Sequence, residues 1–363
     1  MAVPGQASWV AAGHGRQRLA GALLRLAYGV GALLLFIFAL EVLKTAAGGV
    51  ADILTGVSAQ GTANILGFGW LGAYGALSGS PVAAIARSLF AGDVISDSEA
   101  FAMLNGSRMG AAFIVLFVGF LYYLGKRRTA DGIFIGVVAM LTTFTIYAPV
   151  VPLGSFVLDR GWLDGVEVGE PAFLLNFTDF AFHPVVDAAT DNLPLLLVFV
   201  GGIGLILASF AIFDRALPNL EQPSLRLQRI SRLLHHPLVM FALGLLITTM
   251  TLSVSISLTL LIPLSLKGYV RRDGIIPYVM GANISTWVDT MFAALLLDSP
   301  RAFTVVFTQM AVGAFVSLVV LLLLYRPYSR IILAVAHRVM QRRREFAIFL
   351  GAIFLVPLVL LFV

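Results

Sequence analysis

Thr249-Met250-Thr251-Leu252-Ser253-Val254-Ser255-Ile256-Ser257-Leu258-Thr259 decides how this chain is read: five hydroxyl residues occupy every second position from Thr251 in an otherwise apolar run. Strict alternation is the mark of a half-buried strand. A lone strand at bilayer depth would leave its backbone unpaired, so there the run has to be helical or shielded by protein. Wound as a helix, it puts Thr251, Ser255 and Thr259 on one side and Ser253 and Ser257 on another, and Pro263 cuts it short. The expectation is half a span lined with hydroxyls. A second polar group follows in apolar surroundings, Gly281-Ala282-Asn283-Ile284-Ser285-Thr286-Trp287-Val288-Asp289.

Composition places these segments in a membrane. The chain is 59% hydrophobic and 12% charged with a mean hydropathy of +0.96, against about 25% charged residues in ordinary globular domains. The formal net charge of +5 gathers in short loops and reads as cytoplasmic positive charge, with no nucleic-acid partner implied. The absence of cysteine excludes disulfides, thiolate nucleophiles and cysteine metal sites. Arg16, Arg18 and Arg25 precede an apolar stretch running to about Thr45, read as a first transmembrane helix and not a cleavable signal. No Walker loop, HExxH or GxSxG occurs, and an enzyme is not expected.

The chain divides into a cytoplasmic tail (1–18), a first transmembrane repeat (19–157), an acidic extracytoplasmic loop (158–191), a second transmembrane repeat (192–325), a basic cytoplasmic linker (326–345) and an additional C-terminal transmembrane helix (346–363). In each repeat a broken apolar stretch reads as a hairpin that enters and leaves on one side. Lys and Arg counts orient the whole. With the N-terminus in the cytoplasm, the basic loops at 126–128, 215–232, 267–272 and 326–344 all fall inside. The acidic loop and the turn from Asp298 to Arg301 fall outside. The same count sends the first hairpin in from outside and the second from inside, the inverted topology of transporters built from internal repeats. The fold class expected is an all-α polytopic inner-membrane protein with two inverted-topology repeats, each holding a re-entrant helical hairpin and a broken helix.

The paired segments resemble the sodium-phosphate cotransporter family, in which each inverted repeat carries a QSSS stretch in a re-entrant hairpin and then GANIGTT in a broken helix. The second motif is nearly intact as Gly281 to Thr286, and the first is echoed by Thr251-Leu252-Ser253-Val254. In the first half the same spacing finds Leu77-Ser78-Gly79-Ser80-Pro81 and Gly106-Ser107-Arg108-Met109-Gly110-Ala111-Ala112. The resemblance covers about residues 20 to 325. It implies a secondary transporter of inorganic phosphate driven by Na+, with no other cofactor and with the lipid bilayer as its setting. The substrate residues it nominates are Ser78, Ser80, Ser107, Ser253, Ser255, Asn283, Ser285 and Thr286, to which Arg108 is added as a charge inside the membrane. Thr251, Ser257, Asn283 and Asp289 are nominated for ion coupling, with Na+ at Ser257, Asn283 and Thr286. A homodimer is left open.

Physical chemistry allows these roles: ends of half-helices offer free N–H groups to anions and free carbonyls to cations. The competing reading of single Ser and Thr residues is close helix packing. Arg108 departs from the family, standing where it has Asn. A charge there is a functional expectation, either gripping an anion with its planar fork or occupying the space of a coupling ion; the competing reading is that it snorkels or pairs with Asp289 as a structural bridge. Asp289 could instead carry a proton, and Arg87 reads as a plain interfacial anchor, with attraction of anions in the outer vestibule as its alternative. The rival readings are transport of another anion, proton coupling, or a non-transporting membrane regulator that kept the fold.

Overall fold

The computed structural model describes residues 6–46, 61–124, 130–166, 181–216, 236–251, 254–266, 270–288, 290–291 and 300–363. Among these residues the chain is helical, joined by short turns. Among the described residues four helical stretches are long and apolar enough to cross a membrane: Leu24–Thr45, Asp97–Leu121, Asp131–Asp159 and Arg301–Gln341.

α1 (Gln6–Thr45) is followed by two shorter helices, α2 (Thr62–Ala76) and α3 (Gly79–Ala91). At 15 and 13 residues they rise about 22 and 20 Å, each short of the roughly 30 Å hydrocarbon core of a bilayer. Leu77 stops α2 by taking the left-handed conformation (φ 49°), and the Ser78 N–H donates to Ala73 O at 3.1 Å, closing the last turn. Ser78 is extended, and Val82 comes back against Gly72. Pro81 falls in the first turn of α3, where its missing N–H is not required.

α4 (Asp97–Ala111) starts with a capping box in which the Glu99 N–H donates to Ser96 Oγ and the Ser96 N–H to Glu99 Oε2. Glu99 Oε1 also accepts from the Gly61 N–H at 2.9 Å, tying the start of α2 to the start of α4. The helix breaks at Ala112 before α5 (Phe113–Tyr122), and α6 (Asp131–Asp159) follows. α7 (His183–Asn192) and α8 (Leu195–Ala216) pack against α1, with His183 Nε2 3.2 Å from Glu41 Oε1.

Next come α9 (Pro237–Thr251), α10 (Val254–Thr259), α11 (Leu261–Leu266) and α12 (Arg272–Ser285). The interruption between α10 and α11 lies ahead of Pro263, which cannot donate to the Thr259 carbonyl. α13 (Pro300–Val319) continues through a π-helical turn, Val320–Leu324, into α14 (Tyr325–Gln341), and α15 (Arg343–Leu360) closes the chain. Residues 326–345, the basic stretch, therefore lie in α14 and the start of α15.

Among the helix pairs that approach at backbone distance because glycine faces a carbonyl, two correspond to each other. A Cβ on Gly69 would lie 2.4 Å from Met103 O and one on Gly106 2.1 Å from Leu66 O, between α2 and α4. A Cβ on Gly244 would lie 2.1 Å from Tyr278 O and one on Gly281 2.1 Å from Phe241 O, between α9 and α12. The second set repeats the first at a constant step of 175 positions (69 to 244, 103 to 278, 106 to 281, 66 to 241).

Ionic contacts collect at two ends. Arg301 pairs with Asp97 at 3.1 Å and Asp164 at 3.0 Å. At the other end Arg272 pairs with Asp131 at 2.7 Å and meets His337, and Tyr325 donates to Asp273 O, around a cleft of about 550 Å³.

α15 lies on α2. The Trp70 indole donates to Tyr74 Oη, whose hydroxyl donates to Ile353 O, each at 2.9 Å, and Asn64 Nδ2 donates to Leu361 O at 3.1 Å. Tyr74→Phe removes the middle link and leaves an indole N–H and a carbonyl unsatisfied in a dry interior, which costs about 1–3 kcal/mol. A lowered thermal midpoint for the purified variant is the expected result; an unchanged midpoint shows that the chain does not hold α15 in place.

Candidate functional site

Three contacts fix the relative depth of α4, α6 and α13. The Asp97–Arg301 ion pair brings the starts of α4 and α13 together. Further in, the Phe101 ring fills the space beside Gly154 of α6, 2.0 Å from where a Cβ would stand. Further still, Gly313 of α13 lies against the Tyr147 phenol, its Cβ position 3.6 Å from the hydroxyl. α4 and α13 thus run one way and α6 the other, bringing Arg108, Tyr147 and Gly313 to a common level.

Arg108 is 1% exposed. Its Nη2 donates to Thr290 Oγ1 at 2.9 Å, and its guanidinium carbon sits 4.3 Å over the centre of the Trp287 ring. Arg87, on α3, is 3% exposed and donates through Nη1 to the Thr290 backbone carbonyl. Two guanidinium groups from the first half therefore meet on one residue of the second, and Arg87, Arg108 and Thr290 make further interactions besides these. Arg87, expected as an interfacial anchor or as an anion-attracting residue of the outer vestibule, belongs instead to the interior beside Arg108. Its partner is 203 positions away, beyond the reach of any local pattern.

Asn283 is the counterpart of Arg108 at the 175-position step (108 to 283). It is buried, its Nδ2 donates to Thr143 Oγ1 at 3.0 Å, and its backbone carbonyl accepts from the Tyr147 hydroxyl at 3.4 Å. The first hairpin turn reaches the same region, since a Cβ on Gly79 would stand 2.7 Å from Ser107 O. Ser78, Ser80, Ser107 and Arg108 are accordingly brought into one neighbourhood, with Ser80 and Ser107 buried and Ser78 half-buried.

Several nominated hydroxyls bond within their own helix. Ser107 Oγ donates to Leu104 O at 2.7 Å, Thr251 Oγ1 to Thr248 O, and Ser285 Oγ and Thr286 Oγ1 both to Ala282 O. Ser257 joins a hydroxyl chain with Thr248 at 2.6 Å and Tyr278 at 2.9 Å. Among the described residues no hydrogen bond links that chain to Asn283 or Thr286. Ser253, Asp289 and the Ser255 side chain lie outside the described residues.

The sequence reading missed Thr143, Tyr147, Trp287 and Thr290 as a group, and also Gln309 of α13. Gln309 carried a legible signal, an amide in the middle of a long apolar helix. No family profile, characterised protein or solved structure matches the chain.

Proposed function

We propose that this chain is a secondary active transporter that moves inorganic phosphate with Na+ by alternating access. In this reading it is a multi-pass inner-membrane protein of two inverted-topology repeats, each with a re-entrant hairpin and a broken helix, and its N-terminus is cytoplasmic. The observation that carries the proposal is the meeting of the two halves. The same backbone-to-glycine contacts recur at a fixed step of 175 positions, and Arg108, Arg87, Asn283 and Trp287 gather where the halves join. Transporters of this architecture bind cargo at the interface of their repeats, between discontinuous helices.

The ionic contacts support the sidedness. Arg301 and Asp164, both expected outside, pair with each other, and Arg272 and His337, both expected inside, meet; Asp97 and Asp131, at the helix ends beside them, pair with Arg301 and Arg272. Backbone N–H groups at hairpin and helix ends, together with the arginines, suit an anion. A second reading, in which one cation position is filled by the protein, is favoured by the Arg108 guanidinium standing where the other half has the neutral Asn283.

The test is uptake of radiolabelled phosphate into proteoliposomes of the purified chain under an inward Na+ gradient, a proton gradient, or neither. Na+-dependent uptake that falls at least tenfold in Asn283→Ala is the expected result. Uptake driven by protons alone removes the sodium claim, and absence of phosphate flux from folded protein removes phosphate as the substrate.

A further inference from the structure

We propose that Gln309 and Asn105 form a reader for a proton on the ligand, so that the site takes a tetrahedral oxyanion that keeps an O–H, the hydrogenphosphate class, and refuses sulfate. This rests on the anion-transport reading above. Gln309 is fully buried, and neither its amide nitrogen nor its amide oxygen has a hydrogen-bond partner among the described residues. Asn105 is also fully buried; its Nδ2 donates to Phe101 O at 2.9 Å, and its Oδ1 accepts from none of the described residues. The Asp97–Arg301 ion pair sets the two at one depth, because each lies eight positions along its helix from that pair (97 to 105, 301 to 309). They stand one turn from the level of Arg108, Tyr147 and Gly313. The fully buried Trp287 indole N–H, near the Tyr147 hydroxyl and under the Arg108 guanidinium, likewise makes no hydrogen bond of normal geometry among the described residues.

Buried amides and indoles in native proteins almost always have partners, so a group of them at one level marks a place where something else satisfies them. The chemistry on offer is specific. Trp287 Nε1 and Gln309 Nε2 are donors suited to anionic oxygens. Gln309 Oε1 and Asn105 Oδ1 are acceptors that need a hydrogen from outside the described side chains, from a ligand or from ordered water. Sulfate at neutral pH has none. Phosphate and arsenate at neutral pH carry one or two, and a site with committed acceptors rejects the analogue that lacks the hydrogen far more strongly than size alone allows.

The experiment measures equilibrium binding of radiolabelled phosphate to the purified full chain, competed with arsenate and with sulfate, beside the ligand-free melting temperature. In the wild type, arsenate is expected to displace phosphate while a hundredfold excess of sulfate does not. Gln309→Leu is expected to lose at least tenfold of that preference while melting no lower than wild type, because an apolar group of similar size replaces an amide with no protein partner. Gln309→Met carries the same expectation if Gln309→Leu does not fold.

Sulfate competing as well as phosphate in the wild type overturns the proposal. So does full discrimination in the variants together with a lowered melting temperature, the result if the amides hold ordered water only. Phosphate binding without discrimination removes this inference and leaves the transport reading in place, whereas no binding of phosphate, arsenate or sulfate removes both.

Discussion

Valine at Gly106 or at Gly281 is expected to leave no monodisperse folded protein. A Cβ at either position would stand 2.1 Å from a backbone carbonyl oxygen, Leu66 O or Phe241 O, and backbone cannot swing aside as a side-chain tip can. The helices would have to part by more than 1 Å along their whole contact. In lipid, with little hydrophobic drive between helices, close packing through small residues is the main source of association. Alanine is the milder probe, expected to cost about 1–3 kcal/mol or more at each site, the range for overpacking a tight core. Gly106→Ala and Gly281→Ala lie in different helix pairs, so their costs should add.

Gly75→Ala and Gly204→Ala are the controls. Nothing lies within 4 Å of a Cβ at either, so they should be neutral or stabilise by up to about 1 kcal/mol through helix propensity. Size-exclusion profiles and thermal unfolding of the variants in one detergent check the contrast. Equal behaviour of Gly106→Ala and Gly75→Ala would show that the close approach does not hold the pair together.

Those glycines also show how far the sequence could be read. The recurrence of Gly-Ser-Arg and Gly-Ala-Asn at one spacing was visible from Gly106 and Gly281, because a backbone seat admits only glycine and so leaves a mark in the sequence. The first hairpin break was visible in Leu77-Ser78-Gly79-Ser80-Pro81 for a similar reason, although the residue that turns the chain is Leu77, in a left-handed conformation that its side chain does nothing to advertise. Arg87 was misplaced because its partner is set by tertiary packing, and Gln309 was passed over because one amide in an apolar helix reads the same whether it faces a neighbour or a ligand. Local patterns record backbone constraints well. They record which side chains converge only where the convergence is itself local.

Exchange of Arg108 for asparagine is expected to raise the ratio of phosphate uptake with Na+ to uptake without it by at least tenfold, a change of about 1.4 kcal/mol in coupling. At the 175-position step Arg108 corresponds to Asn283, so the variant gives both halves the same neutral amide. An anion deep in the protein needs compensating positive charge, which a permanent guanidinium supplies in the absence of any ion and an amide does not. Arg108→Lys separates charge from shape. Lysine keeps the charge but loses the planar face 4.3 Å over Trp287 and the fork that reaches Thr290, so it should hold the wild-type Na+ ratio with weaker phosphate affinity and a lower melting temperature. The stacking alone is worth about 2 kcal/mol where it is desolvated. An asparagine variant that transports with an unaltered ratio would deny Arg108 any part in charge compensation and confine it to packing between the halves, in which case Trp287→Leu should destabilise the protein as much as Arg108→Asn does and no further when the two are combined.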